Sequence, residues 1–255
     1  LRTAGVVVRC NTRVGSELSF GEVKRSHDAT IICVGNQVPK QLDLGDLPQG
    51  VEAVHHGVNL LRSIHDHSPP EMGAEVGVVG GGNTAIDCAR SVHKMGSNVT
   101  VFYRRTRTEM TAIREEIDAA EADGVRFEFQ TVPVSLVHQG GRLRGLHTQS
   151  TEPGPADETG RPTPLAVKNS VSTVSLDTLV LAVGEQSELG FLENSGVTYS
   201  DNIDVDFVGG TSLKGVFACG DAAFDQGTVT QAIASGRRAA AATVAYLKKP
   251  KGPTS

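Results

Sequence analysis

Residues 75–105 constrain the fold of this chain more than any other stretch. They hold a short apolar strand (76–79), a glycine turn (Gly80-Gly81-Gly82-Asn83-Thr84-Ala85), a helical pattern, a second strand and an arginine pair. Read as one unit, they predict a nucleotide-binding βαβ. Gly80 allows the sharp turn out of the strand, Gly82 lets backbone approach a pyrophosphate with no Cβ in the way, and Ala85 keeps the helix close to the sheet. The N–H groups at the head of that helix and the positive end of its dipole then face the phosphates. Apolar residues recur at helical spacing (Ala85, Ile86, Ala89, Val92), Gly96 ends the helix, and 99–103 reads as the next strand.

The tip of the second strand lies about 20 residues beyond the glycines, where such units meet the adenosine ribose and an acid binds a 2′-hydroxyl. Here that tip carries Arg104 and Arg105 instead. Planar guanidinium forks suit a 2′-phosphate and therefore NADP over NAD, the alternative being a solvated basic run. Their place at the strand tip favours the phosphate.

A chain of 255 residues allows one large or two modest domains. The net charge of −5, with dense basic clusters only at 104–107 and Lys248-Lys249, predicts no nucleic-acid partner. No apolar run approaches the roughly 20 residues that span a bilayer, and Leu1-Arg2-Thr3-Ala4-Gly5 has no signal-peptide pattern, so no membrane association and a cytoplasmic location are expected. Cys10, Cys33, Cys88 and Cys219 are scattered with no CxxC among them. That argues against a redox dithiol, a zinc site or an encoded iron–sulfur motif, and leaves small buried hydrophobes. His27, His55, His56, His65 and His67 fall in or just before 42–70, a segment without a metal-ligand pattern that reads as a solvated linker.

Along the rest of the chain, 11–21 reads as loop, and 29–35 as an apolar strand leaving through Gly35. The pattern of 28–35 returns at 177–184, ending at Gly184, with the whole βαβ between. The echo, unless it is a coincidence of two buried strands, predicts two related dinucleotide-binding domains of parallel sheet and helices, the second inserted into the first: 1–50 with 185–255, and 51–184. Between them 44–48 reads as a turn and 54–64 as a helix (Val54, Val58, Leu61). After Arg105, Thr106 and Glu109 fit a capping box that opens a helix burying Met110, Ile113, Ile117 and Ala120 and ending at Gly124. Strands at 125–130, 135–138 and 143–148, the turn Gly140-Gly141 and a long hairpin or loop over 150–170 form a β-meander crossover. A final strand, 215–219, ends in Gly220-Asp221, and a long helix opens at Thr228 and buries Val229, Ala232, Ile233, Gly236, Ala240 and Val244. Asp221 taken alone reads equally as a turn residue.

The segments 79–90 (VGGGNTAIDCAR), 103–110 (YRRTRTEM), 182–185 (AVGE), 215–221 (GVFACGD) and 231–240 (QAIASGRRAA) together resemble the small subunit of NADPH-dependent glutamate synthase and its relatives, which include the reductase portion of dihydropyrimidine dehydrogenase. The resemblance implies an FAD-containing oxidoreductase in which NADPH gives a hydride to flavin and electrons pass on to iron–sulfur clusters or a partner acceptor. It implies that Gly80, Gly81, Gly82, Asn83 and Thr84 hold the NADP pyrophosphate and Arg104 and Arg105 the 2′-phosphate. Gly184 and Glu185 would lie near the nicotinamide, Gly220 and Asp221 by the ribityl chain, and Thr228, Val229 and Ala232 by the isoalloxazine. The chemistry belongs to the cofactors, so no catalytic side chain is expected. Relatives begin with a cysteine-bearing helical segment and a first Gly-x-Gly-x-x-Gly unit for FAD, which this sequence lacks. FAD binding is therefore expected to need a further segment or a flavin-bearing partner chain, and an NADP(H)-binding module without catalysis is the alternative.

Overall fold

A computed structural model describes residues 2–45, 53–157, 159–224 and 227–249. The chain divides into two compact units, Leu1–Val38 with Glu185–Ser255 (unit 1) and Pro39–Gly184 (unit 2). The first passage falls at 38/39, ahead of the 50/51 expected, because unit 2 already holds the residues just beyond. Lys40 donates its N–H to Gly184 O at 3.0 Å, and Leu44 is buried with Leu143, Leu146 and Leu176. Residues 46–48 of the expected turn lie outside the described residues.

Unit 1 begins with α1 (Phe20–Ser26), a helix that starts at the end of the stretch expected to be loop, followed by β1 (Thr30–Ile32). Its signal is Ser19-Phe20-Gly21-Glu22. Glu22 donates its N–H to Ser19 Oγ (3.2 Å) and Ser19 donates its N–H back to Glu22 Oε2 (2.9 Å), a complete capping box. The crossing to unit 2 runs through β2 (Val38–Pro39).

Unit 2 opens with β3 (Val54–His56), which passes directly into α2 (Gly57–His65). The helix expected from Val54 is thus a strand in its first turn, because 54–56 pair in parallel with 179–181. Next come β4 (Glu75–Val79), α3 (Asn83–Lys94), β5 (Asn98–Tyr103), α4 (Arg114–Asp123) and β6 (Arg126–Phe129). A meander follows, β7 (Thr131–Gln139), β8 (Arg142–Ala156) and β9 (Pro162–Ser175), and then β10 (Thr178–Leu181). The main sheet is parallel throughout, in the order β3-β10-β4-β5-β6, and β7-β8-β9 form a separate antiparallel sheet. Val76, Val78, Val99, Val101 and Val180 face a core shared with Ile86, Ala89, Val92 and Ile117, whereas Val79, Phe102, Leu179 and Leu181 pack with the meander residues Leu143 and Leu146. Burial on both faces is why these strands read as continuous apolar runs.

The capping box at Thr106 forms, with Glu109 Oε2 accepting from Thr106 N (3.0 Å) and Oγ1 (2.8 Å). It closes only a 3₁₀ turn, and α4 waits until Arg114, because Thr111 and Ala112 spend their N–H groups on Gly81 O (3.0 and 3.1 Å). Ile113 is therefore 55% exposed instead of buried, while Ile117 and Ala120 are buried as expected.

Asp177 ties the start of β10 to the start of β4: its Oδ2 accepts from Ala74 N and Glu75 N, both at 2.9 Å. Asp177→Ala is expected to cost about 2 kcal/mol, within the range for hydrogen bonds to a charged group, and to lower the urea midpoint with an unchanged slope.

Back in unit 1, β11 (Glu185–Gln186) and β12 (Val216–Ala218) lead to α5 (Val229–Leu247), and β12 pairs in parallel with β1. The buried side of α5 differs from the expected one. Ser235 and Ala239 are buried and Tyr246 packs edge-on against Phe217, while Val229 (76%), Ile233 (57%) and Val244 (50%) are exposed. The stripe at 235, 239, 242 and 246 packs because Ala239 meets Phe217 and Cys219 of the short sheet. Among the described residues no helix is long and apolar enough to cross a membrane.

Candidate functional site

The turn after β4 is shaped by close backbone approach. Gly80 has φ +147°, and a Cβ there would stand 2.2 Å from Ala182 O, at the end of the adjacent β10. A Cβ on Gly81 would stand 2.2 Å from the Tyr103 ring. Gly82, by contrast, is the uncapped N-terminal residue of α3 at φ −94°, and a Cβ there would meet only Thr111 Oγ1 at 3.5 Å. Two glycines are thus required by the protein itself, and the third leaves open space. Asn83 Oδ1 accepts from Ile113 N (3.0 Å), so this side chain braces the neighbouring loop and leaves the backbone at the helix head uncovered. With no side-chain cap and no acid in the first turn, α3 presents bare N–H groups and a positive dipole end from Gly82 through the half-buried Thr84.

The two arginines at the tip of β5 part company. Arg105 is buried, donating from Nε to Pro162 O and from Nη2 to Asp157 Oδ2, both at 2.8 Å. It clamps the turn end of the β8–β9 hairpin. Asp157 is held below the usual carboxylate range, first by the Thr159 hydroxyl and then by the Arg161 and Thr159 N–H groups and the Arg105 charge. Arg104 is exposed, and its guanidinium has no acceptor among the described residues. Partial loss of water, then the positive charges of Arg105 and Arg161, lower its pKa, so an anion beside it would relieve an unfavourable charge. Arg161, brought in by the hairpin turn, was invisible in the sequence pattern around 104. Arg104, Arg105, Thr106, Glu109 and Thr151 line a small surface recess, and the buried Glu109 Oε1 has no hydrogen-bond partner among the described residues.

Gly184 ends the stretch after β10 at φ +110°. Since β10, β4 and β5 are adjacent and parallel, with Leu181 opposite Val79 and Val79 opposite Phe102, the segments leading to Gly184, Gly80 and Arg104 all leave from the carboxyl ends of three neighbouring strands. Ligands of open parallel sheets bind at that edge, where strand order reverses.

In unit 1, Gly220 has φ +71° and donates its N–H to Ser235 Oγ (3.0 Å), fixing the 3₁₀ turn Gly220–Ala222 against α5. Asp221 is half-buried in that turn. Thr228 caps α5 by accepting from Gln231 N (3.3 Å), Val229 is exposed and Ala232 half-buried. Glu185, in β11, is half-buried.

The profile of the family described as pyridine nucleotide-disulphide oxidoreductase matches residues 4–240. The chain belongs to that family. It is 36% identical over its whole length to the beta subunit of an NADP(+)-dependent formate dehydrogenase from Moorella thermoacetica, covering 36% of that protein. It is 31% identical, again over its whole length, to a glutamate synthase [NADPH] small chain from Azospirillum brasilense, covering 56% of it. The chain therefore spans about a third to a little over half of these relatives. Among solved structures, Mycobacterium tuberculosis FprA in complex with NADPH matches with a TM-score of 0.73 at 16% identity, over 93% of this chain and 67% of that one. This likeness shows that the pyridine nucleotide-disulphide oxidoreductase chain has the same α/β fold, parallel sheets with an antiparallel meander.

Proposed function

We propose that the chain is part of an NADPH-dependent flavin oxidoreductase of the glutamate synthase small-chain type, with unit 2 holding NADP(H) and unit 1 supplying part of an FAD site. One observation carries the reading: the uncapped head of α3, the turn at Gly184 and an arginine with no hydrogen-bond acceptor among the described residues gather at the carboxyl edge of β10-β4-β5. These residues fit a dinucleotide. N–H groups of Gly81, Gly82, Asn83 and Thr84 bind the pyrophosphate, approached over the open side of Gly82, with Gly80 setting the turn. Arg104 binds the 2′-phosphate, and Arg105, committed to Asp157 and Pro162, acts as a positioning residue that holds the strand tip beneath it. Gly184, which has no side chain, leaves room for the nicotinamide end, and Glu185 follows it in the chain. For the flavin, Asp221 takes the ribityl hydroxyls from the turn that Gly220 fixes, and Thr228, Val229 and Ala232 line the ring, which accounts for an apolar Val229 left exposed. When bound, nicotinamide and flavin supply the hydride and electron-transfer chemistry, and no protein nucleophile is needed. Electrons leave to an iron–sulfur or partner acceptor, in a cytoplasmic setting.

A second reading, an NADP(H)-binding module without catalysis of its own, is favoured by the described part of unit 1. Its parallel sheet has two strands only, below the size that stands independently as a dinucleotide fold. An absorbance spectrum of the purified chain, followed by NADPH and NADH titration, separates the two. Flavin bands stoichiometric with protein and bleached by NADPH are expected for the reductase. A colourless chain that prefers NADPH would establish the module, and no nucleotide binding would end both.

A further inference from the structure

Cys33 and Cys219 are 186 residues apart, and their spacing gives no sign of a pair. β1 and β12 run in parallel with Ile32 opposite Ala218, so each cysteine follows its strand by one residue and the two sulfurs stand 3.1 Å apart. Neighbouring strands are about 4.8 Å apart, within the roughly 4.4–6.8 Å between Cα atoms that a disulfide bridges. The sulfurs need to approach by only about 1 Å to reach bonding distance. The expectation of two small buried hydrophobes holds for Cys219, packed with Phe217 and Ala239, and fails for Cys33, which is exposed. Cys33 is the exposed member of the pair and Cys219 the buried one. We infer that Cys33 and Cys219 are a reversible redox-modification site that closes to an intramolecular disulfide by exchange with a low-molecular-weight disulfide of the glutathione class.

The exchange balances in two steps. Cys33, as thiolate, attacks one sulfur of the external disulfide, whose S–S bond breaks and releases one thiol, leaving a mixed disulfide on Cys33. Cys219, as thiolate, then attacks the Cys33 sulfur and releases the second thiol. The protein loses two protons and two electrons, and the external disulfide takes up both. Partial burial, then the proton shared with Cys219, push Cys33 up to about 12. Cys33 therefore attacks from a small thiolate fraction, and the exchange is faster in alkaline buffer. Closure would tie the exit of β1 to the residue before Gly220 and Asp221. If the flavin contacts proposed above are right, the thiol state adjusts that edge of the site; the disulfide itself does not depend on them.

The test is incubation of the folded full chain with oxidised glutathione in mildly alkaline buffer, then acid quench, alkylation in denaturant and peptide mapping. The expected result is a thiol count falling from four to two, a peptide linking Cys33 to Cys219, and full reversal by dithiothreitol. Cys33→Ser should lose the link and leave Cys219 reduced, and Cys10→Ser should keep it. Four thiols remaining, or glutathione retained on Cys33 with Cys219 free, would overturn the inference. No nucleotide enters the assay, so its outcome is independent of the NADPH and FAD titrations.

Discussion

Replacing Arg104 with alanine is expected to weaken NADPH binding roughly 10- to 100-fold, since hydrogen bonds to a charged group contribute about 1.5–3 kcal/mol and each 1.4 kcal/mol is a factor of ten. NADH, with a hydroxyl in place of the phosphate, should be affected less than about threefold, within the scatter of an exposed substitution. The asymmetry follows from the state of the two arginines. Arg104 has no acceptor among the described residues and stands against the charges of Arg105 and Arg161, so an incoming phosphate gains a partner without displacing one. Arg105 already holds Asp157 and Pro162 from a buried position. Arg105→Ala should therefore lower thermal stability, by about 2 kcal/mol for the lost buried hydrogen bonds, and weaken NADPH and NADH together. Calorimetric titration of both nucleotides against both variants decides it. A selective NADPH loss in Arg105→Ala with none in Arg104→Ala would reverse the roles.

The parallel sheet of unit 2 was legible because its physics is local. Strands buried on both faces read as near-continuous apolar runs: 76–79 and 179–183 each lead straight into a glycine, and 99–103 is broken only by Thr100. The meander was legible from Gly140-Gly141, a two-residue turn with both φ values positive. What escaped depended on partners distant in the chain. Nothing near 105 announces Asp157, so two adjacent arginines looked equivalent until the β8–β9 hairpin closed over one of them. The start of α4 was misplaced because a carbonyl of the glycine turn, Gly81, takes the N–H groups a continuing helix would have used. The buried face of α5 was misjudged because its branched residues are exposed and its small ones, Ser235 and Ala239, meet the sheet. The cysteine pair is the extreme case, joined by strand register alone.

Gly80→Ala is expected to destabilise unit 2 by roughly 3 kcal/mol or more, because two costs combine: a backbone conformation that L residues avoid, at about 1–3 kcal/mol, and a steric clash in a packed turn. At φ +147° the added Cβ would lie 2.2 Å from Ala182 O. Ala182 cannot easily retreat, since its N–H is bound to Val79 O at 2.8 Å and Gly80 N is itself bound to Phe102 O at 3.1 Å. Relief must therefore open the sheet between β10, β4 and β5, at the edge where the nucleotide is proposed to bind. A loss of that size should lower the melting temperature by about 6–12 °C for a protein of this length. Gly82→Ala is the informative partner. Its φ of −94° suits any residue and its Cβ would have 3.5 Å of clearance, so stability should change by no more than about 0.5 kcal/mol. NADPH binding should nevertheless fall, because the new methyl occupies the side from which the pyrophosphate approaches. If thermal melts showed both variants equally stable, the close approach at Gly80 would not be holding the turn. If Gly82→Ala bound NADPH as tightly as the parent chain, the head of α3 would not be where the phosphates sit.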